Sequence, residues 1–446
     1  MNITIVNTHT RGGAAKAALR LHEGLRQRGI SSKFLSRNNS NPNREISAAT
    51  ARSRAIAERI SDKIKRLFRI IHTSLDETPG IEKISSCELF TDCRSNSGRH
   101  LLPNDFDGDV INLHWIAHFV DLPTIINQFA GRIPFVWTLH DMQPLTGGCH
   151  YDKGCARFAR QCGNCPQLVN SGANDASRQI FRSRELALSC LEDKDLHIVC
   201  PSRWLADEVT KSSLLRRFDC HVIPNGLDTT QFAPVDRHCA RTALGIRADA
   251  KVVLFVADSV ENHRKGLDLL LAAARHLADK VERLCLVSVG GGAVAAKQIS
   301  SVPLVEMGHV NDRLLPAIYS AADLLVIPSR QDNLPNAMLE SMACGTPVVG
   351  FNIGGIPDVV RPDSTGWLAA VSNADCLAAT LWDAFKELEL PSIAARYRST
   401  CRNVVVQEYN FELQAQRYTE LFSKLIAYRC KGKGGQVSLM QKGPSI

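Results

Sequence analysis

Residues 323–358 read DLLVIPSRQDNLPNAMLESMACGTPVVGFNIGGIPD, and the folding pattern of the chain can be worked out from them. The apolar run 324–328, bounded by turn residues, is typical of a short strand buried on both faces of a parallel sheet. Pro335 suits a first helical turn and Gly345 suits a helix end, so a short helix is predicted between them. Residues 348–351 predict the next strand. This alternation of strand, helix and strand favours an α/β fold.

Two loops of this stretch fall at the carboxyl edge of the predicted sheet, where ligands of open α/β folds bind. The free amides at the helix start carry a partial positive charge, so this segment suits a phosphate or a sugar hydroxyl. Its residues are Asn333, Leu334, Pro335 and Asn336. The turn 352–355 contains Gly354 and Gly355, and its bare backbone is predicted to approach a ligand closely.

Asp332 precedes the predicted helix and Glu340 lies inside it, so the two carboxylates are expected to address different parts of one ligand, a hexose and a ribose. Seven residues separate them, and SMACGTPVV follows over 341–349. This block resembles the acidic-x7-acidic signature of the retaining glycosyltransferases of family 4, in which the first acid is usually Glu. The resemblance implies that Glu340 binds the nucleotide ribose and that Asp332 lies beside the donor sugar. The alternative for both acids is a solvated position at a helix end.

A chain of 446 residues exceeds one ordinary hydrophobic core, so two domains are expected. The resemblance implies the GT-B fold, in which two Rossmann-like domains, each a doubly wound parallel sheet, face each other across a cleft. The predicted units are an acceptor-side domain over 1–218, a nucleotide-sugar-binding domain over 219–405, a helix over 406–430 that returns to the first domain, and a disordered basic tail over 431–446. Residues 197–200 are predicted to be the last strand of the first domain.

The formal net charge of +8 is modest for this length, so its distribution matters more than its total. Residues 49–74 place apolar side chains on one helical face and basic side chains on the rest. Such a helix either binds an anionic membrane surface or packs on the domain with a solvated basic face. Nucleic acid is not an expected partner, because no aromatic residues interleave with the charges. Since no secretory signal or bilayer-spanning apolar run is present, the protein is predicted to be cytoplasmic, or peripheral on the inner face of a bacterial plasma membrane.

The first domain offers two groups of residues at one edge of its predicted sheet. A strand over 2–7 leads to Gly12 and Gly13, which open a helix and would let a diphosphate or a sugar approach its start. His114 and His140 each follow the end of a predicted strand, so both are expected at the ligand-facing edge, although such a histidine can also be purely structural. The resemblance implies that the Gly12–Gly13 loop faces the donor and that His140 contacts the donor sugar or the acceptor.

In the second domain, Arg264 and Lys265 stand at the start of a predicted helix, where two cations attract phosphate. The resemblance implies that a lysine matched by Lys265 and an arginine five residues before it grip the diphosphate. That earlier position is Val260 here, so the arginine has either moved to Arg264 or is absent. Backbone near His309 and Val310 is implied to hold the base.

Fifteen cysteines are scattered through a long chain without an export signal, so most are expected to be reduced. Four of them lie close together in the sequence: Cys149, Cys155, Cys162 and Cys165. Four thiolates could hold a tetrahedral structural zinc, which would leave no open position for water. A plain reduced loop and a pair of disulfides are the alternatives.

The resemblance covers nearly the whole chain and implies a retaining hexosyltransferase that uses a GDP- or UDP-linked sugar and requires no cofactor. The catalytic residues it implies are His140, Lys265, Asp332 and Glu340. Three segments most resemble bacterial enzymes of exopolysaccharide, colanic acid or O-antigen assembly: the Gly-Gly-Ala loop, the cysteine-rich loop and the sequence LPNAMLE. A lipid-linked saccharide is therefore the expected acceptor. An epimerase or phosphorylase of the same fold, and a nucleotide-sugar-binding protein without catalysis, are the alternatives. An NAD-dependent enzyme is disfavoured, because no Gly-x-Gly-x-x-Gly is followed by an acid at the required distance.

Overall fold

The structure is a computed structural model of the 446-residue chain. It describes residues 1–37, 81–85, 87, 89–94, 106, 108–293 and 302–437, and the side chains within these ranges up to residue 429. The basic segment 49–74, predicted to be an amphipathic helix, lies outside the described residues, as does the end of the chain from 438 onwards.

The first sheet is built from six parallel strands within the described ranges, in the order β2-β1-β3-β4-β5-β6. The strands are β1 (Asn2–Val6), β2 (Ser31–Leu35), β3 (Val110–Leu113), β4 (Phe135–Thr138), β5 (Leu196–Cys200) and β6 (Asp219–Val222). Strand β6 pairs with β5 in parallel register, so the first sheet extends past residue 218 and β5 is not its last strand. The sequence pattern missed β6 because this edge strand has no buried residue and therefore lacks the apolar run of a central strand.

The second sheet also has six parallel strands among the described residues, in the order β12-β11-β10-β7-β8-β9. They are β7 (Lys251–Ser259), β8 (Leu284–Gly291), β9 (Leu304–Glu306), β10 (Leu324–Ile327), β11 (Val348–Phe351) and β12 (Gly366–Ala369). From β7 the chain adds β8 and β9 toward one edge of the sheet, and from β10 it adds β11 and β12 toward the other edge. The gap between these two neighbouring strands is the topological switch point at which ligands of doubly wound sheets bind.

Helices cover the faces of both sheets. They are α1 (Gly13–Gln27), α2 (Leu122–Phe129), α3 (Ala176–Leu188), α4 (Arg203–Lys211), α5 (Arg237–Ala243), α6 (Leu267–Leu277), α7 (Leu315–Ala321), α8 (Asn336–Ala343), α9 (Ala374–Leu388), α10 (Pro391–Glu408) and α11 (Phe411–Val437). Alternate residues of β7 enter opposite cores: Val252 and Leu254 pack on one side of the sheet, and Val253 and Phe255 on the other. Both faces of the strand are therefore buried, as expected of a doubly wound α/β domain.

The final helix, α11, crosses from the second domain to the first. Tyr418 and Phe422 are fully buried against Ile3 and Ile5 of β1. The Tyr418 hydroxyl also lies 2.9 Å from Thr138 Oγ1 at the end of β4. The helix continues to Val437, beyond residue 430 where the sequence pattern ends it. Within the described ranges, every helix is too short or too polar to traverse a lipid bilayer.

Candidate active site

A cavity of about 390 Å³ lies between the two domains, at the switch point of the second sheet. It is lined by the ends of β7 and β10, the start of α8, and the start of α1 from the opposite domain. Of the residues predicted to bind or react, those that line it are Gly13, His140, Arg264, Lys265, His309, Val310, Asp332, Asn333, Leu334, Pro335, Asn336 and Glu340. Gly12 does not line it but precedes α1 with a φ of 90°. We refer to this space as the active-site cavity.

Asp332 is a buried carboxylate with its charge already balanced. Its Oδ2 accepts hydrogen bonds from Lys265 Nζ at 2.6 Å and from Ser329 Oγ at 3.0 Å, and Arg264 Nη1 lies 3.5 Å away. Burial by itself would raise the pKa of Asp332, but the two neighbouring cations outweigh it and hold the pKa below its ordinary value. The acid is therefore ionised, and it fixes the Lys265 ammonium at the wall of the cavity.

Glu340 is also buried, and its two oxygens have different partners. Oε1 accepts from Arg20 Nη2 at 2.9 Å, and Oε2 accepts from the Tyr319 hydroxyl at 3.0 Å. Arg20 lies on α1, so this ion pair joins the two domains across the cleft. Sequence analysis missed Arg20, because a pair of residues 320 positions apart leaves no local signal.

Arg264 lines the active-site cavity and contacts both domains. Its Nη1 donates to Gln331 O at 2.8 Å, and its guanidinium lies 4.8 Å from the centre of the Tyr151 ring. Val260, five residues before Lys265, is buried in the apolar core, so its position could not hold an arginine side chain in the cavity. Lys265 is therefore the closest match to the diphosphate-gripping pair of the family pattern.

His140 lies at the end of a chain of hydrogen bonds that determines which of its ring nitrogens carries the proton. Asn112 Nδ2 donates to Val136 O and Thr138 Oγ1, both at 3.0 Å, which turns its Oδ1 toward His114 Nε2 at 3.0 Å. His114 Nδ1 in turn lies 2.9 Å from His140 Nε2. Burial lowers the pKa of His140 to about 4 and holds that of His114 well below its ordinary value, so both rings are neutral at pH 7. Because Oδ1 can only accept, His114 is protonated at Nε2, His140 donates from Nε2, and His140 Nδ1 remains an acceptor.

The starts of two helices meet at the active-site cavity. Gly13 begins α1, and its carbonyl lies 3.5 Å from Asn336 Nδ2 at the start of α8. Beside them, Lys16 Nζ pairs with Asp312 Oδ1 at 2.9 Å, which is a second ion pair between the domains. Both helix starts carry a partial positive charge, so an anionic group would be stabilised between them.

The glycine turn after β11 does not approach the active-site cavity, and that prediction was wrong. A Cβ on Gly354 would lie 1.8 Å from the Asp332 carbonyl oxygen, and one on Gly355 would lie 2.1 Å from the Asn333 carbonyl oxygen. The turn therefore packs against the ligand-facing loop from behind. Its glycines make room for protein backbone, which a sequence pattern does not distinguish from room for a ligand.

Three of the four cysteines predicted to bind zinc are buried in two apolar clusters, and Cys155 is partly exposed. Cys149 and Cys165 pack with Phe90 and Ile180, whereas Cys162 belongs to the main core of the first domain. Burial raises the pKa of Cys149 and raises that of Cys162 to about 12, so both are neutral thiols. In the part of the chain that the structure describes, no three His, Cys, Asp or Glu side chains are grouped so as to hold a metal ion. The predicted zinc site is therefore not formed in this structure.

The sequence of the second domain matches a known family. Residues 250–387 match the family described as Glycosyl transferases group 1. The alpha-maltose-1-phosphate synthase of Mycolicibacterium smegmatis is 30% identical over 319 residues, which is 66% of this chain and 74% of that protein. The D-inositol 3-phosphate glycosyltransferase of Geodermatophilus obscurus is 37% identical over 191 residues, and this match spans only 42% of that relative's length.

Two solved structures share the fold over almost the entire chain. Sucrose-phosphate synthase from Thermosynechococcus elongatus has a TM-score of 0.62 at 19% identity, and the match covers 96% of this chain and 99% of that one. Anabaena HepE in complex with UDP-glucose has a TM-score of 0.58 at 17% identity, with coverage of 95% and 100%. With two parallel doubly wound sheets facing one cleft, the chain has the GT-B fold and belongs to the group 1 glycosyltransferase family.

Proposed function

We propose that this protein is a retaining glycosyltransferase that moves a hexose from a UDP- or GDP-linked sugar to a hydroxyl of a saccharide acceptor. The observation that carries the proposal is the composition of the active-site cavity. The Lys265 ammonium group, two helix starts and the buried carboxylates of Asp332 and Glu340 face a single space between the domains. These groups match a diphosphate and a ribose in both charge and hydrogen-bonding capacity.

The diphosphate leaving group gains negative charge as the bond to the sugar breaks. Lys265 and the amides at the start of α8 are already positioned, so they stabilise that charge without rearranging during the reaction. Asp332 keeps Lys265 in place from behind at 2.6 Å. In this proposal the protein itself provides the positive charge, and no metal ion has a role in the transfer step.

The two acids have separate roles in the proposed reaction. Glu340 accepts from the ribose hydroxyls with the lone pairs that Arg20 and Tyr319 leave unused. Asp332 and His140 lie beside the donor sugar. The acceptor attacks from the face that the diphosphate leaves, and a departing phosphate oxygen takes the acceptor proton, so the anomeric configuration is retained.

For the acceptor, we propose a lipid-linked saccharide of bacterial surface polysaccharide assembly, used at the cytoplasmic face of the membrane. The resemblance of the Gly-Gly-Ala loop, the cysteine-rich loop and LPNAMLE to enzymes of that class supports this proposal. The basic segment 49–74 also supports it, since such a sequence suits an anionic lipid surface. Two relatives are named for D-inositol 3-phosphate and maltose 1-phosphate, so a soluble phosphorylated compound is the second candidate.

The test begins with thermal unfolding of the full chain in the presence of UDP, GDP, ADP and their hexose conjugates. We expect the nucleotide that binds to raise the melting temperature, and its sugar to be transferred to lipid-linked saccharide from a bacterial membrane extract. Nuclear magnetic resonance of the product then reports whether the anomeric configuration is retained. Sugar epimerisation without an acceptor would identify an epimerase, and nucleotide binding without release under any condition would identify a binding protein. Either result would overturn the proposal.

A further inference from the structure

A second cavity of about 330 Å³ adjoins the active-site cavity. The two spaces share Leu89, Tyr151 and Arg264 as a common wall. Both domains contribute to the second cavity: Lys153 comes from the first, and Arg330 comes from the loop after β10 in the second. We refer to this space as the side cavity. It has the volume of a small-molecule site and lies next to the place proposed for the donor sugar.

The lining of the side cavity is positively charged. Lys153, Arg264 and Arg330 line it together with two histidines, and among the residues that the structure describes its lining includes no Asp or Glu. The acids that neutralise the arginines stand behind them. Asp268 binds Arg330 through two hydrogen bonds, at 2.8 and 2.6 Å, and Asp332 lies 3.5 Å from Arg264. These pairs reduce the total charge, and they fix both guanidinium groups in place beside the cavity.

The cations of the second domain are held rigidly. Arg330 Nη1 donates to His263 O at 2.6 Å, and the Arg330 amide donates to Arg264 O at 2.8 Å. Arg264 lies over the Tyr151 ring, which in turn stacks on Trp204 with 6.3 Å between ring centres. A ligand would therefore meet donors that are already ordered, which reduces the entropy lost on binding.

Lys153 is placed by a strained turn. Its φ is 51°, a conformation that residues other than glycine adopt uncommonly. Asp152 stabilises this turn by accepting from the amides of Gly154 at 3.1 Å and Ala156 at 2.9 Å. The side chain of Lys153 is exposed at the mouth of the side cavity. The turn thus places a lysine of the first domain in the lining of the side cavity, which the arginines of the second domain also line.

From these contacts we infer that the side cavity binds the phosphate or diphosphate group of the acceptor. This inference rests on the proposed function and assigns the chemical class of its second substrate. A planar guanidinium and a flexible ammonium together suit phosphate oxygens. Bound there, the anion would hold the acceptor's sugar against the Tyr151–Arg264 wall, with a hydroxyl directed at the donor. A soluble sugar phosphate and a lipid-linked diphosphate sugar share this chemistry.

The test uses the full chain saturated with whichever nucleoside diphosphate binds, so that the donor site is already filled. Glucose, glucose 6-phosphate and a short-chain polyprenyl diphosphate sugar in detergent are then titrated by calorimetry. We expect one of the two phosphorylated probes to bind at least about tenfold more tightly than glucose, since a charged hydrogen bond exceeds a neutral one by that much. Binding of glucose 6-phosphate would assign a soluble acceptor, and binding of the polyprenyl probe alone would assign a lipid-linked one.

Lys153→Glu provides the matched variant. It should weaken binding of the phosphorylated probe by about tenfold or more and leave nucleotide affinity unchanged. Lys194→Glu reverses a charge on an exposed lysine of the same domain and should change neither affinity. If the nucleotide binds but the phosphorylated probes bind no better than glucose, or if Lys153→Glu binds them normally, the inference is wrong and the proposed function stands. If no nucleotide binds at all, the proposed function itself fails.

Discussion

The Lys265 ammonium group is held in position by a carboxylate before any substrate arrives. Asp332 Oδ2 accepts its hydrogen bond at 2.6 Å, and the same oxygen accepts a second hydrogen bond from Ser329 Oγ at 3.0 Å. A lysine side chain ordinarily has many conformations, so this pair removes entropy that would otherwise be lost when the diphosphate binds.

We expect Lys265→Ala to lower kcat/KM by about a hundredfold to a thousandfold, because a preorganised donor to the leaving group is lost. Lys265→Arg should retain part of the rate, since the charge is kept but the geometry changes. The measurement is the initial rate of nucleotide release at saturating acceptor. Lys251→Ala, a change of the same kind at the start of β7, is the control and should leave the rate unchanged. An alanine variant at 265 that is as fast as the wild type would contradict the assignment.

The two neutral histidines make stability depend on pH. In the unfolded chain a histidine binds a proton below about pH 6.5, whereas in the folded protein the lowered pKa keeps His140 neutral down to about pH 4. Between these values the unfolded state binds more protons, so the free energy of unfolding should fall as the pH is lowered through this window. Chemical denaturation at several pH values measures it. His140→Gln should reduce the dependence of the free energy of unfolding on pH. His276→Gln, on the exposed surface, is the control and should leave this dependence unchanged. If wild type and His140→Gln show the same dependence, burial of a neutral His140 is not its cause.

The loop between β10 and α8 is shaped from behind by the glycine turn. Gly354 has a φ of 53° and contacts the backbone of Asp332, so it determines where the buried acid lies. Much of this segment was predictable: β11 has the predicted bounds, and α8 starts at the predicted residue and ends one residue early. The role of the glycine turn was not predictable, because its glycines pack against the backbone of Asp332 and Asn333, which belong to a different loop. Strand β6 and Arg20 were missed for similar reasons, since an exposed edge strand and a contact between domains leave no periodicity.

Gly354→Ala should destabilise the protein and weaken nucleotide-sugar binding. Gly245→Ala is the matched control, because Gly245 has a φ of 66° but open space around its Cα. Both variants should lose about 1–2 kcal/mol from the left-handed backbone conformation. Only Gly354→Ala adds a collision with Asp332 O, so it alone should raise KM for the donor. Thermal unfolding and donor titration measure the two effects, and an unchanged KM would show that the turn does not position Asp332.

The two domains are held together over the active-site cavity by ion pairs of different strength. Arg20 and Glu340 form a pair with side-chain exposures of 15% and 5%, whereas Lys16 and Asp312 are exposed by 37% and 49%. A buried pair that loses one partner leaves an uncompensated charge, whereas an exposed pair is screened by water and salt. The closed arrangement of the domains should therefore depend on Arg20 far more than on Lys16.

We expect Arg20→Met to open the cleft in the absence of ligand, which small-angle X-ray scattering would detect as a larger radius of gyration. Removing one partner of a buried pair costs about 3–5 kcal/mol, whereas Lys16→Met should cost about 0.2–1 kcal/mol and leave the radius unchanged. Nucleotide binding should weaken in the first variant and not in the second. Equal radii for the two variants would show that other contacts keep the cleft closed.

The path of α11 also determines the order in which the molecule can be completed on the ribosome. The apolar face formed by Ile3 and Ile5 is covered by Tyr418 and Phe422, which are translated more than four hundred residues later. The amino-terminal sheet thus emerges first but acquires its missing layer last, after the other domain has been fully synthesised. Premature termination before this helix would expose a hydrophobic surface that chaperones and proteases recognise, so truncated chains should be removed before they could compete for donor.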